Sequence, residues 1–296
     1  MTMTRQAIDF IKRSARQCGI EISRARPPVQ PTPPSGPVPP PEPVLGSNIL
    51  ALTISDVLLR IVLSDGRHSD FTFVQIGAND GIMDDPIRKF VLKYGLRGVF
   101  VEPQPDVFAR LQRNYAGVPN LAFENAAIAA QDGQREMYRF RKTSDLPFWA
   151  DGLASFSKET LIRNFQNVEG EVETIHVPTL SFRSLLGKHG LEHLDLLQID
   201  TEGFDYEIIK MIDFSATKPT IIHFEHGFLS GPQQYECFRY LNNQGYRVTN
   251  NDENMVAYAE PKEQRLDRNW VAALPDRERE LLFDHRPEVA VGRAVN

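Results

Sequence analysis

The chain has 296 residues, of which 41% are hydrophobic and 24% are charged. These values are typical of a globular protein and exclude a fibrous, collagenous or wholly disordered chain. The net charge of −6 argues against a protein that coats nucleic acid with a basic surface, so no nucleic acid partner is expected. No run approaches about 18 consecutive apolar residues, and therefore no transmembrane helix is predicted.

The first 26 residues are set apart by their charge. They carry six basic and two acidic groups, a net charge of +4, which leaves −10 for the rest of the chain. The spacing of Ile8, Ile11 and Ala15 predicts a short amphipathic helix. Such a helix suits weak peripheral contact with an anionic membrane face or an acidic partner, and a solvated helix without a partner is the alternative. No signal peptide is predicted, because basic residues interrupt the segment.

A proline-rich segment follows the predicted basic helix. Residues 27–43 contain ten prolines in seventeen positions. Proline fixes φ and removes an amide donor, so we interpret 27–46 as an extended linker. A ligand for an SH3-type domain is the alternative. The folded domain is then predicted at 47–260 and a charged C-terminal tail at 261–296.

From residue 48 onward, short apolar runs alternate with stretches of helical periodicity. Strands are predicted at 71–76, 98–101, 121–128, 135–140, 172–177, 194–199, 219–225, 246–249 and 254–259. Helices are predicted before Gly95, after Asp106, and at 181–189, 205–212 and 233–244. Repeated β-α-β units predict an α/β fold with a mostly parallel sheet and helices on both faces. The last two strands predict an antiparallel edge.

Acidic residues and a serine mark the predicted helix starts. Asp84 or Asp85 is predicted to cap the first helix, Asp106 the second, and Asp205 the helix at 205–212. Ser181 is the predicted cap of the helix at 181–189.

A glycine turn follows the first strand of the domain. Residues 77–81 read Gly-Ala-Asn-Asp-Gly, a GxxxG turn at a strand end, which is where open α/β sheets bind ligands. Glu102 follows the second strand directly and is placed to accept hydrogen bonds from both hydroxyls of a ribose. Together the turn and the acid indicate a nucleoside ligand. A tight turn without a ligand is the alternative.

Two features favour S-adenosylmethionine (SAM) over NAD as that ligand. The turn has the spacing GxxxG rather than GxGxxG, and no helix is predicted directly after it to hold a pyrophosphate. SAM is a sulfonium nucleoside and carries no phosphates. A NAD-type oxidoreductase on the same kind of sheet remains the alternative enzyme.

Two polar clusters follow later strands. Residues 198–205 read Gln-Ile-Asp-Thr-Glu-Gly-Phe-Asp, and residues 223–227 read His-Phe-Glu-His-Gly. Because the carboxyl ends of parallel strands meet at one edge, these side chains are expected beside the glycine turn. Each has a structural explanation alone, since Asp205 can cap a helix and His223 can be buried and hydrogen-bonded. Together they indicate a site.

Five motifs occur in order along the chain: FVQIGANDG (73–81), VFVEPQP (99–105), ENAAIA (124–129), LDLLQIDTEGFDYEII (194–209) and IIHFEHG (221–227). In this order they resemble the FkbM family of SAM-dependent methyltransferases, over roughly residues 70–260. The resemblance implies a class I methyltransferase (Rossmann-like) fold with a seven-stranded sheet in the order 3-2-1-4-5-7-6. It also implies O-methylation of a hydroxyl on a sugar, glycan or secondary metabolite. One departure is Ser181, where the family usually has aspartate before a helix.

The resemblance also implies roles for individual residues around SAM. Those implied to contact the cofactor are Gly77, Ala78, Asn79 and Gly81 at its amino-acid part, Glu102 at the ribose, Pro103 and Gln104 near the adenosine, and Asn125 and Ala126 beside the adenine. Asp200 would face the amino group or the methyl of SAM. Residues 151–155 would form a loop that closes over the site.

Methyl transfer to an aliphatic hydroxyl requires that the hydroxyl lose its proton, and a positioned base typically adds ~10²–10⁴-fold. The candidate catalytic residues are Asp200, Glu202, His223, Glu225 and His226, with Glu202 or His223 as the base. No metal site is predicted, because no spacing is diagnostic. A divalent metal bound by Asp200, Glu202 and Glu225 is the alternative.

A non-enzymatic alternative is a tethered binding module whose functional part is the segment 1–46. On either hypothesis, the two cysteines, Cys18 and Cys237, are a single pair and cannot make a disulfide framework, so a reducing cytoplasm is the default expectation. The expected partners are a small-molecule or glycan acceptor and, through residues 1–26, the inner face of a membrane.

Overall fold

The computed structural model describes residues 54, 58, 69–83, 85–142, 145–251 and 254–259. The predicted basic helix (1–26), linker (27–46) and tail (261–296) lie outside these residues and stay predictions. Within the described part of the chain, no helix is both long enough and apolar enough to cross a membrane.

The described strands form two sheets. In chain order they are β1 (Thr72–Ile76), β2 (Arg97–Val101), β3 (Leu121–Glu124), β4 (Ala127–Ile128), β5 (Gly133–Phe140), β6 (Ala154–Ser155), β7 (Val172–Leu180), β8 (Leu196–Ile199), β9 (Ile221–Glu225), β10 (Arg247–Asn251) and β11 (Asn254–Tyr258). The larger sheet has seven strands in the order β10-β11-β9-β8-β1-β2-β3. Its pairs are parallel except β10–β11 and β11–β9. Counted within this sheet, the order is 3-2-1-4-5-7-6, which confirms the predicted fold class and the antiparallel edge.

The smaller sheet was not predicted, and one predicted strand is wrong. Strands β4, β7, β5 and β6 form this four-stranded sheet. The single strand expected at 121–128 is divided between the two sheets, because the chain turns at Asn125. Its Nδ2 donates hydrogen bonds to the carbonyl oxygens of Glu102 (2.8 Å) and Pro103 (3.1 Å). Beyond this turn, β4 pairs with the end of β7 instead of β2.

Helices cover both faces of the larger sheet. They are α1 (Arg88–Tyr94), α2 (Pro105–Asn114), α4 (Phe182–Lys188), α5 (Asp205–Lys210) and α6 (Gly231–Asn243). Helix α3 (Lys158–Ile162) instead contacts β5 and β6 of the smaller sheet. The Ser181 cap of α4 is confirmed, since its side chain accepts the Ser184 amide at 3.1 Å. Asp85 accepts two backbone amides at the start of α1, at 2.9 and 3.0 Å.

Two predicted helix caps are wrong. The N-cap of α2 is Gln104, and Asp106 lies in the first turn. The N-cap of α5 is Phe204, while the Asp205 side chain is buried and turned towards neighbouring strands. In both cases the chain enters the helix one or two residues before the acid, so the carboxylate is released for tertiary contacts.

The strands of the larger sheet alternate their side chains between two apolar cores. One core contains Val74, Ile76, Leu197, Ile199, Ile222 and Phe224 with residues of α4, α5 and α6. The other contains Phe73, Phe100, Leu196, Ile221 and Val256 with residues of α1 and α2, and with Ile54 and Leu58. A sheet buried on both faces leaves its strand ends as the places where polar side chains can gather.

Gly98 shows how tightly the second core is packed. It is paired with Phe73 on the neighbouring strand, and a Cβ at Gly98 would overlap the Phe73 ring. That ring also meets Phe100 edge-on, with centroids 5.0 Å apart. The ring therefore has aromatic neighbours that limit how far it can move away.

We expect Gly98→Ala to lower the free energy of unfolding by about 1–3 kcal/mol, because it overpacks this core. The matched control is Gly187→Ala in α4, where an added Cβ meets nothing within 4 Å. That substitution should be neutral or raise stability by up to about 1 kcal/mol, since alanine favours helix over glycine. Urea midpoints measure both, and equal shifts would contradict the packing explanation.

Candidate active site

The candidate site lies where β1 meets β8. The chain passes from β1 to β2 on one side and returns to β8 on the other, so this boundary is the switch point of the sheet. Gly77 follows β1 with φ +76°, and a Cβ there would overlap the Asp200 carbonyl. The Asp200 amide in turn donates to the Ile76 carbonyl oxygen at 2.9 Å. The predicted neighbours Gly77 and Asp200 are therefore in direct backbone contact.

The rest of the glycine turn is fixed by left-handed residues. Asn79 has φ +49° and Gly81 φ +72°. A Cβ at Gly81 would lie 2.5 Å from the Tyr115 ring, so this position also has no room for a side chain. The next described helix, α1, begins at Arg88. It therefore does not follow the glycine turn directly, in the way that a pyrophosphate-binding helix would.

Glu102 lies at the end of β2, beside this turn. Its side chain accepts hydrogen bonds from the backbone amides of Asn79 (3.0 Å) and Gln104 (2.9 Å), one on each carboxylate oxygen. The residue is only 3% exposed, and burial raises the pKa of Glu102 to about 7. The two amides oppose that shift by stabilising the carboxylate. The acid is thus held in one orientation next to the glycine turn.

The other predicted cofactor residues surround Glu102. Asn125 binds the two carbonyl groups that follow β2, as described above, and Ala126 is buried behind it. Ala78 is also buried, and its amide donates to the Val101 carbonyl oxygen at 3.0 Å. Pro103 is half-buried. The structure therefore brings the predicted nucleoside residues together at the ends of β1, β2 and β3.

Glu202 lies in a turn after β8 with an uncommon backbone conformation. Its φ is +52°, in the left-handed region that non-glycine residues rarely adopt. The Ser155 hydroxyl donates to the Glu202 carbonyl oxygen at 2.9 Å. A Cβ at the next residue, Gly203 (φ +98°), would lie 2.8 Å from the Thr160 methyl group. Contacts from β6 and α3 thus hold the turn that carries Glu202.

Asp205 ties this turn to the end of β9. Its carboxylate accepts hydrogen bonds from the Thr201 hydroxyl (2.8 Å), the Thr201 amide (3.3 Å) and the Glu225 amide (3.3 Å). Burial raises the pKa of Asp205 to about 6, and these donors oppose the shift. The residue expected as a simple cap therefore joins the two predicted catalytic strand ends.

His223 lies one level deeper than the other catalytic candidates. It pairs in register with Gln198 on β8, and its Nδ1 contacts the Gln198 Oε1. Because that oxygen accepts, Nδ1 carries the hydrogen and Nε2 holds the lone pair of the ring. Burial lowers the pKa of His223 to about 4. The imidazole is therefore neutral at physiological pH and lies within the sheet, two residues before the end of β9.

The remaining catalytic candidates lie at the ends of β8 and β9 or shortly after them. Asp200 is exposed, Glu202 and Glu225 are half-buried, and His226 is buried directly after β9. Among the residues that the structure describes, no group of three or more His, Cys, Asp or Glu is arranged to hold a metal ion. The alternative of a metal bound by Asp200, Glu202 and Glu225 gains no support from their placement.

Residues 148–155, here called the covering segment, lie across the nucleoside side. They comprise a 3₁₀ turn at Phe148–Gly152 and strand β6. A Cβ at Gly152 would lie 2.5 Å from Nδ2 of the Asn79 side chain, so the segment is in close contact with the glycine turn. Asp151 forms ion pairs with Arg110 of α2 (2.7 Å) and Lys142 (2.6 Å). The loop predicted over the site is in contact with it.

Two side-chain contacts of this arrangement, those of Gln198 and Gln104, were not predicted from the sequence. Gln198 is a polar residue inside an apolar strand, and that interruption was the available signal for its contact with His223. Gln104 was placed near the adenosine, but its side-chain bond to the Gly152 carbonyl oxygen (2.8 Å) spans 48 positions of sequence. A contact over that separation cannot be predicted from a local sequence pattern.

Comparison with known proteins gives one family. The family model for the methyltransferase FkbM domain matches residues 75–248, and no curated protein matches the chain in sequence.

Among solved structures, the chain is similar to methyltransferase FkbM from Methylobacillus flagellatus KT, with 12% identity, a TM-score of 0.40, and coverage of 64% of this chain and 43% of that one. It is also similar to an RNA methyltransferase from Salinibacter ruber in complex with S-adenosyl-L-homocysteine, with 14% identity, a TM-score of 0.31, and coverage of 78% and 98%. The chain spans less than half the length of the first of these proteins, and likenesses this distant bear on neither substrate nor mechanism.

We expect Asp205→Ala to lower the free energy of unfolding by about 2–4 kcal/mol, because it removes a buried carboxylate and leaves three partly buried donors without this acceptor. Glu207→Ala on the same helix is the control. Its carboxylate is exposed and forms an ion pair with Lys210, so we expect a change within about 0.5 kcal/mol. Chemical denaturation measures both, and a loss confined to Glu207→Ala would refute the assignment.

Proposed function

Because this chain belongs to the methyltransferase FkbM domain family, we propose that it is a SAM-dependent O-methyltransferase acting on a hydroxyl of a sugar, glycan or secondary metabolite. The observation that supports this best is the buried Glu102 carboxylate, held by the Asn79 amide beside a turn in which Gly77 and Gly81 have no room for a Cβ. A nucleoside lying on that turn presents its ribose hydroxyls to the carboxylate. A small-molecule or glycan acceptor, rather than nucleic acid, fits the net charge of −6.

The chain's own residues divide the cleft into a cofactor side and an acceptor side. On the cofactor side, Gly77, Gly81 and Asn79 form the cradle, Glu102 binds the ribose, and Asn125 and Ala126 border the adenine. SAM supplies an electrophilic methyl group on its sulfonium. Asp200, exposed at the switch point, orients the amino group of the cofactor. Alignment of the acceptor by such fixed groups can lower the barrier by several kcal/mol.

Glu202 is the first candidate for the base that takes the hydroxyl proton. Its carboxylate is half-buried, and its turn is held in a strained conformation by Ser155. Backbone strain of this kind costs about 1–3 kcal/mol and persists only where neighbouring contacts maintain it. Glu225 at the neighbouring strand end is joined to the same turn through Asp205. The acceptor hydroxyl would lie between these two carboxylates.

His223 is the second candidate for the base. Gln198 fixes its tautomer, so the lone pair on Nε2 is available in the neutral ring. It is buried below the strand ends, whereas Glu202 is half-buried. Substitution of each residue in turn distinguishes the two candidates.

We expect Glu102→Ala to weaken binding of SAM by about 2–4 kcal/mol, because hydrogen bonds to a carboxylate are worth about 1.5–3 kcal/mol each. Calorimetry measures the loss, and Glu136→Gln, an exposed carboxylate of β5, is the control that should leave affinity unchanged. Unchanged affinity in a folded Glu102→Ala chain would remove this residue from the cofactor site.

The pKa of Glu102, raised by burial to about 7, gives this binding a pH dependence. Ribose hydroxyls donate to the ionised carboxylate, and the ionised fraction rises between pH 6 and 8, roughly one unit on either side of that pKa. We expect the affinity for S-adenosylhomocysteine to rise across this interval, and Glu102→Gln to flatten the dependence. An equally steep dependence in Glu102→Gln would show that another group titrates.

We expect Glu202→Gln to lower kcat by about 10²–10⁴-fold, while SAM affinity changes only a few-fold, because the substitution removes a base and no cofactor contact. His223→Ala tests the second candidate in the same assay. Glu192→Gln, an exposed acid before the opposite end of β8, is the matched control. Methyl transfer to a panel of glycans and hydroxylated metabolites is the measurement.

Near-normal turnover in both variants on the true acceptor would place the base elsewhere. Activity that disappears with EDTA and returns with magnesium would instead assign Asp200, Glu202 and Glu225 as ligands of a metal.

A further inference from the structure

The side chain of Gln104 joins two parts of the candidate site. It is 1% exposed and precedes the first residue of α2. Its Nε2 donates to the Gly152 carbonyl oxygen at 2.8 Å, and its backbone amide donates to Glu102 at 2.9 Å. One residue therefore contacts both the acid proposed to bind the ribose and the covering segment.

These contacts close into a ring. The Asn79 amide binds the second oxygen of Glu102 at 3.0 Å, and the Asn79 side chain touches Gly152 where a Cβ would find no room. Gly152 is in turn held by Gln104. The glycine turn, the end of β2 and the covering segment thus fit together through four residues from three separate parts of the chain, Asn79, Glu102 with Gln104, and Gly152.

One polar atom of these four residues has no hydrogen-bond partner within the described chain. The Oε1 of Gln104 is buried and has no hydrogen-bond partner among the described residues. A buried carbonyl oxygen without a donor is costly, and nearly all such atoms have a partner in folded proteins. A nucleoside carries suitable donors, namely its ribose hydroxyls and, in adenosine, an exocyclic amine.

We propose that Gln104 is a positioning residue that couples binding of the nucleoside to closure of the covering segment. Its Oε1 accepts a hydrogen bond from the nucleoside, while its Nε2 holds the Gly152 carbonyl. A bound nucleoside fixes the Gln104 side chain and, through it, the segment. The coupling is reciprocal, since any change that frees the segment also weakens the nucleoside complex. This inference rests on the proposed function, because it takes SAM as the nucleoside.

Calorimetry and amide hydrogen exchange on the full chain test the coupling, with S-adenosylhomocysteine as the probe. In the wild-type chain we expect the probe to slow exchange both at residues 77–81 and in the covering segment. Gln104→Met keeps the size of the side chain and removes both polar atoms. It should bind the probe about tenfold more weakly, the effect of one lost hydrogen bond. At saturation it should still show slower exchange at 77–81 but no slowing in the covering segment.

Gln112→Met, on an exposed position of α2, is the matched control and should behave like the wild type. Gly152→Ala is a second, independent variant, because its Cβ would lie 2.5 Å from Nδ2 of the Asn79 side chain, so that this side chain or the segment must shift while Gln104 is unchanged. It should still bind the probe, with exchange in the covering segment equally fast in the presence and absence of the probe. This variant decides the question if Gln104→Met does not fold.

Wild-type affinity in Gln104→Met, or probe-dependent slowing of the covering segment in either variant, would overturn the coupling while leaving the proposed function intact. A wild-type chain that does not bind S-adenosylhomocysteine, with no slowing at 77–81, would overturn the proposed function and this inference with it.

Discussion

The contact between Gly77 and the Asp200 carbonyl determines how the strand ends of the larger sheet are arranged. Since neither residue can move apart without breaking the bond from the Asp200 amide to Ile76, β1 and β8 end at the same height. The chain must then leave β1 through left-handed residues, which brings the Asn79 amide to Glu102. On the other side it enters the turn that carries Glu202. The proposed cofactor side and the proposed acceptor side both depend on this one close approach.

Burial of Glu102 and of His223 makes the stability of the fold depend on pH in opposite directions. Glu102, with a pKa raised by burial from 4.5 to about 7, holds a proton in the folded chain that it has lost in the unfolded chain, so its contribution to stability falls as pH rises through that interval. Burial lowers the pKa of His223 from 6.5 to about 4, and its contribution falls as pH decreases through that interval. Between pH 4.5 and 6.5 the two effects partly cancel.

The sequence was sufficient for features that depend on local chemistry and strand order. Gly77, Glu102 and Asp200 could be placed because each stands at the end of a short apolar run, and parallel strands bring such ends together. The division of the strand at 121–128 could not be predicted, because it depends on Asn125 reaching the carbonyl groups after β2. Asp205 was misassigned for a related reason. An acid before a helical stretch looks like a cap, and only the tertiary structure shows it accepting from Glu225 on β9.

Two kinds of bond hold the covering segment at Asp151 and Gly152, in addition to its contacts through β6. Arg110 and Lys142 reach Asp151 through ion pairs whose side chains are about one-third exposed, whereas the Gln104 bond to Gly152 is buried and joins neutral groups. Exposed ion pairs weaken as salt screens them, with a Debye length of about 8 Å at physiological ionic strength, and neutral buried bonds do not. Ionic strength therefore weakens the ion pairs of Asp151 and leaves the hydrogen bond at the adjacent Gly152 unchanged. In concentrated salt, the segment would be held here by the bond to Gln104 alone of these two kinds.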